Sequence, residues 1–193
     1  MTIDSLKVDH LEVLNYGYTG IAAAGTFSQD AFNGRIVCSD PNLNFLFQGI
    51  FSLSSKTQNA LYQFYANLGY ADLHALNIDK RGTSRISLTT QANFTRVSGE
   101  EILGNINVNG IVLEDEHGRH NVGDIEISSY ANNDLNRVKF KSGFADGTYS
   151  GTRFFKSFIN DIKTVATSGS LPSLRLGSGN WDRNKYDASI RFH

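Results

Sequence analysis

Cysteine, proline, methionine and tryptophan are nearly missing from these 193 residues: one Cys, two Pro, one Met and one Trp. The single thiol, Cys38, excludes an internal disulfide framework. Charge of one sign is missing too, with 18 Lys and Arg against 19 Asp and Glu for a formal −1. Neutralising a phosphate backbone needs a clustered cationic excess, so nucleic acid is excluded as a partner class. No run approaches the ~20 apolar residues of a membrane-spanning helix. The start, MTIDSLKVDHLEV, has acidic residues among its first ten and no apolar core segment. It does not read as a signal peptide, so the expectation is a chain made in the cytoplasm, with later release or assembly into a particle left open.

What is abundant is Gly, Asn and Ser, with 18, 18 and 19 copies, more than a quarter of the chain. At 40% apolar and 11% aromatic residues, the sequence still has enough to build a core. Most of it alternates with period two. In LNFLFQGIFSL, Leu43, Phe45, Phe47, Phe51 and Leu53 share one face and Leu46 and Ile50 the other. In SRISLTTQANFTRV, Ile86, Leu88, Ala92 and Phe94 oppose Ser87, Thr89 and Gln91, the pattern of a half-exposed strand. NINVNGIVLE, DIEIS and RVKFKSGF continue it.

Turn chemistry separates these runs. Asp79–Gly82, Glu116–Arg119 and Asn132–Asp134 read as hairpin connections. Asn33-Gly34 and Asn109-Gly110 are the strongest two-residue turn signals, the second also compatible with a bulge inside one strand. Eight or more short strands at this spacing predict a mainly β fold, an antiparallel sandwich or small barrel of meander or jelly-roll type. Residues 1–193 form one domain in this reading, with 173–193 folding back as terminal strands. One segment breaks the rule. Phe155, Phe158, Ile159, Ile162 and Val165 recur at helical spacing and predict an amphipathic helix over 153–167. Residues 55–69 fit helix or strand, and their Tyr and Phe content favours strand.

Catalytic motifs are missing. There is no G-x-S-x-G elbow, no H-E-x-x-H and no phosphate loop, so no cofactor is expected, and an enzyme built from residues distant along the chain is left as the alternative. Cys38, between Val37 and Ser39 in an alternating run, reads as a small buried hydrophobe. His117 and His120, with Asp115 or Glu116, are the densest metal-capable cluster, but their spacing matches no closed zinc site and an exposed hairpin tip accounts for them. ADGTYSG and NWDRNKYD carry oxygen-rich spacing without the EF-hand pattern, and both read as turns. Recognition chemistry gathers around Trp181, with Asn180, Asp182, Arg183, Asn184 and Tyr186. An aromatic plate ringed by amides and carboxylates suits a sugar, and Trp, Tyr and Arg also anchor protein interfaces.

The late segment LRLGSGNWD…ASIRF resembles the final strands of C-type-lectin-like folds, where a Gly-Ser-Trp run precedes a terminal strand. The resemblance covers about twenty residues and transfers no function. In composition the chain is also similar to phage fibre and receptor-binding heads. Two functions follow as expectations. The first is a non-enzymatic β module recognising a glycan or protein partner through loops at one end, compatible with a homo-oligomer. The alternative is a small-barrel enzyme (isomerase or cyclase) or lipocalin-like carrier, holding an apolar molecule in a cavity lined by Phe45, Phe47, Tyr62, Phe64 and Phe94.

Overall fold

The alternation of apolar and polar residues becomes strand throughout the computed structural model, which describes residues 2–28, 30–53, 60–80, 82–96, 102–132, 135–151 and 186–193. The strands are β1 (Thr2–Val8), β2 (Leu11–Val13), β3 (Tyr16–Tyr18), β4 (Ile21–Ser28), β5 (Ala31–Asp40), β6 (Leu43–Ser52) and β7 (Ala60–Asp72). They continue with β8 (Ser84–Arg96), β9 (Ile102–Asp115), β10 (Gly118–Asn132), β11 (Leu135–Ser142), β12 (Ala145–Gly151) and β13 (Tyr186–Phe192). No described residue is helical. The helix expected over 153–167 lies outside the described residues. Residues 60–69 belong to β7, so the strand reading of that segment holds there.

Eleven strands form one antiparallel sheet in the order β1-β4-β5-β6-β7-β8-β9-β10-β11-β12-β13, and β2-β3 make a separate two-stranded ribbon. From β4 onward each strand pairs with the next in sequence, and β1 adds beside β4, so the sheet is a meander. The expected antiparallel meander is present, and the expected barrel closure is not. Closure needs the two edge strands to meet with matched tilt and shear. Here β1 and β13 each have a paired strand on one side only, among the described residues.

The turn signals fared unevenly. Asn33-Gly34 lies inside β5, where Gly34 faces Gly25 and Gly49 across the ladder. The β4–β5 turn falls instead at Asp30, whose φ is +66°. ADGTYSG is the strand β12, not a turn, because pairing with β11 and β13 on both sides overrides its turn-forming composition. Asn109-Gly110 is a bulge: Gly110 has φ +61°, the β8–β9 register shifts there, and Asp124 accepts its backbone N–H at 2.8 Å. β7 to β10 run 13 to 15 residues each, longer than expected, and in β9 the Asn109-Gly110 bulge is carried within the strand.

Residues directly opposite in an antiparallel ladder project from the same face, so the register defines the two surfaces. One row reads Phe27–Phe32–Phe51–Tyr62–Phe94–Gly104–Ser129–Val138–Tyr149–Ala188 from β4 to β13. The next reads Gly25–Gly34–Gly49–Phe64–Ala92–Ile106–Ile127–Phe140–Gly147–Ile190. Two further rows begin Ala23–Ile36–Phe47–Ala66–Thr90–Val108–Ile125 and Ile21–Cys38–Phe45–Leu68–Leu88. None of these positions carries a charge. The reverse face carries nearly all of the polarity, as in the row Arg35–Gln48–Tyr65–Gln91–Asn107–Glu126–Lys141–Asp146–Arg191. The sheet has two chemically opposite sides.

Candidate functional site

The uncharged face is the first candidate, and its centre is aromatic. The rings of Phe27 and Phe32 lie 4.8 Å apart, Phe51 meets Tyr62 edge-on at 5.1 Å, and Tyr62 stacks on Phe94 at 4.6 Å with 17° between planes. Phe47 joins the row behind, 5.2 Å from Phe64 and 6.2 Å from Phe32. The rings therefore form one connected chain across β4 to β8. Glycines let them lie flat. The Phe32 ring covers both Gly25 and Gly34, where an added Cβ would stand 2.9 and 2.7 Å from ring carbons. Phe32, Phe47, Tyr62, Ala92, Val138 and Tyr149 are buried, whereas at the β13 edge Phe192 is 77% exposed.

The five residues expected to line an apolar cavity, Phe45, Phe47, Tyr62, Phe64 and Phe94, are thus brought to one surface. That surface belongs to an open sheet. Phe27, Phe32 and Phe51 complete it and were not among the expected lining residues. Alternation along β6 already set Phe51 beside Phe45 and Phe47; for Phe27 and Phe32 the signal was the cross-strand register, which alternation within one strand does not give.

One end of this face is fastened by Asp40. Its carboxylate accepts from the Tyr16 hydroxyl, from the backbone N–H of Asn42 at 2.9 Å, and from both the N–H and the Oγ1 of Thr19 at 2.9 Å. Asn42 Nδ2 donates to Tyr16 Oη at 3.1 Å. These bonds tie the β2–β3 ribbon to the ends of β5 and β6. The ribbon's turn is held at a second point, where Asn77 Nδ2 donates to the carbonyls of Leu14 and Asn15 at 3.2 Å. Burial works against the charged Asp40 carboxylate, but the donors outweigh it and hold its pKa below the ordinary carboxylate value. The same contact, with some burial, pushes the Tyr16 phenol up. Cys38, next along β5, is buried and its thiol is pushed up by that burial, the opposite of what a nucleophile needs.

The other expected sites divide by position. Asn180, Trp181, Asp182, Arg183 and Asn184 lie outside the described residues. Tyr186 opens β13 opposite Gly151, and its side chain also lies outside them. Asp115, His117 and His120 do meet at the β9–β10 turn. His120 Nε2 is 3.2 Å and His117 Nδ1 3.7 Å from the same Asp115 oxygen. The backbone N–H of His117 and then His120 hold the Asp115 carboxyl below its usual range. Both imidazoles turn toward that carboxylate at an exposed tip. Among the described residues no group of three or more His, Cys, Asp and Glu is placed to hold a metal ion.

A second ion-paired row crosses the reverse face near this tip. Arg85 Nε contacts Asp72 at 3.1 Å and its Nη1 contacts Glu114 at 3.0 Å. All three are partly exposed, so the row contributes little to stability and mainly fixes register. Among the described residues, no helix is long and apolar enough to cross a membrane.

Comparison of the chain with protein-family models, with curated proteins and with solved structures finds no match. The functional reading therefore rests on the two faces.

Proposed function

We propose that this chain is a non-enzymatic carrier that holds a long apolar chain, such as the acyl chain of a lipid, along the uncharged face of its open sheet. The observation that carries the reading is the register: four adjacent cross-strand rows on one face without a charged side chain. Strands spaced ~4.8 Å apart make ten of them span roughly 43 Å, and rows two residues apart on a strand lie ~6.8 Å apart.

The chemistry of the face selects the ligand class. Sugars and peptides need directed hydrogen bonds, and this face offers few groups to make them: Thr90, Ser129, Ser142 and the two tyrosine hydroxyls. Hydrocarbon needs only continuous apolar contact. Each buried methylene contributes about 0.8 kcal/mol, so about a dozen give roughly 10 kcal/mol before ordering costs are subtracted. An open sheet also suits a long ligand better than a closed barrel, because among the described residues no closing strand limits its length across the sheet.

The test uses two neighbouring residues that point to opposite faces. Thr90 lies between Ala66 and Val108 on the uncharged side, and Gln91 lies between Tyr65 and Asn107 on the polar side. A fluorescent fatty acid should bind the wild-type protein and be displaced by unlabelled fatty acid. Thr90→Glu should weaken this at least tenfold, about 1.4 kcal/mol, while Gln91→Glu leaves it unchanged. No binding to wild type, or equal losses in both variants, would sink the proposal.

A further inference from the structure

The reverse face has its own hollow, and its chemistry is different. A shallow open depression of about 480 Å³ is lined by the side chains of Gln48, Gln63, Tyr65 and Gln91 over the backbone of Gly49, Phe64 and Ala92. The register explains this grouping. Gln48 and Gln91 are the direct cross-strand partners of Tyr65, and Gln63 and Asn67 are its same-face neighbours along β7. Tyr65 is 37% exposed at the centre of the four amides. A second depression of about 350 Å³ continues over β7 to β9, lined by Asn67, Ser87, Thr89 and Asn109.

We propose that this face binds a neutral oligosaccharide, with the Tyr65 ring as its stacking platform and Gln48, Gln63 and Gln91 as its hydroxyl partners. Three observations favour that occupant. Each primary amide offers two donors and a carbonyl acceptor, which matches a hydroxyl that both donates and accepts. Among the described residues none of these three side chains is hydrogen-bonded within the protein, so their capacity is available to a ligand. No charge sits among them: along the Tyr65 row the nearest are Arg35, beyond Gln48, and Glu126, beyond Asn107. An anionic ligand would find no cation at the platform, and an apolar one would strand the amides.

The two depressions lie along the strands, with Tyr65 and Gly69 four residues or about 14 Å apart. That length suits a short chain of sugars rather than a single one. The site is independent of the acyl-chain reading, because it uses the opposite side of the same strands.

An array of neutral oligosaccharides with sulfated counterparts, followed by calorimetric titration of the hits, tests it. The expected result is binding to neutral members, at least a tenfold loss in Tyr65→Ala, and retention in Tyr65→Phe, which keeps the ring. Gln48→Ala with Gln91→Ala is the second variant, two exposed changes that leave the ladder intact, and it should lose binding likewise. Fatty-acid binding should be unchanged in all of them, so failure of either site is read separately. Absence of any neutral hit, preference for sulfated members, or full binding by both the Tyr65→Ala and the double-glutamine variants would overturn the proposal.

Discussion

Gly49→Ala is expected to destabilise the sheet by about 3 kcal/mol, enough to shift the denaturation midpoint far below that of wild type. Gly49 sits in β6 with φ +139°, a conformation that residues with a Cβ avoid. Strain of that kind costs on the order of 1–3 kcal/mol. The added carbon would also stand 2.3 Å from the carbonyl oxygen of Gln63 and 2.6 Å from Cα of Phe64. Both belong to the backbone of β7, so relief requires the strands to part at the middle of the aromatic rows. Gly82→Ala is the control, since a Cβ there meets nothing within 4 Å. Urea denaturation followed by circular dichroism should show a large loss for the first and little change for the second. Equal stabilities would mean that the close approach of β6 and β7 is not a feature of the folded protein.

Asp40→Asn should cost about 2–3 kcal/mol at neutral pH, since hydrogen bonds to a charged group contribute roughly 1.5–3 kcal/mol and four donors converge here. Asp40 is 7% exposed, so water cannot replace those bonds. The pH dependence follows from the direction of its shift. A carboxyl whose folded pKa is depressed adds stability that is fully present above its unfolded pKa, about 3.9, and is lost as pH falls through the folded value. The gap between wild type and Asp40→Asn should therefore be constant from neutral pH down to about pH 5. Below about pH 4 it should shrink as the wild-type carboxyl protonates. A gap unchanged down to pH 2.5 would show that ionised Asp40 does not hold the ribbon.

Local alternation made the strands legible, and it placed Phe45, Phe47 and Phe51 on one face of β6 in agreement with their register. It could not say which residues of other strands stand beside them. That depends on where each hairpin turns and where each strand bulges, at Asp30, at Gly69–Tyr70 and at Gly110. Turn propensity misled at Asn33-Gly34 and ADGTYSG, where flanking strands satisfy the backbone on both sides and sheet pairing wins. The Asn residues had the same ambiguity. Asn93, Asn105 and Asn107 come from loop-favouring stock but lie in runs whose alternation already marks them as strand, and they furnish the polar face of β8 and β9 without adding charge. Closure of the sheet left no local trace, because it depends on whether two edges more than 170 residues apart meet. The Asp40 network was equally hidden, since its donors come from a ribbon that only tertiary structure brings alongside.

The most direct test of the account is to ask which face touches lipid. A photo-crosslinking phenylalanine analogue placed at Phe47 or Phe94 keeps an aromatic ring on the uncharged side, and the same analogue at Gln48 or Gln91 samples the reverse side of the same strands. Irradiation with labelled phospholipid, followed by mass spectrometry of the adducts, should give acyl-chain crosslinks from Phe47 and Phe94 and none from Gln48 or Gln91. Crosslinks of equal yield from both faces, or none from the phenylalanine positions, would contradict the assignment of the uncharged face as the ligand surface.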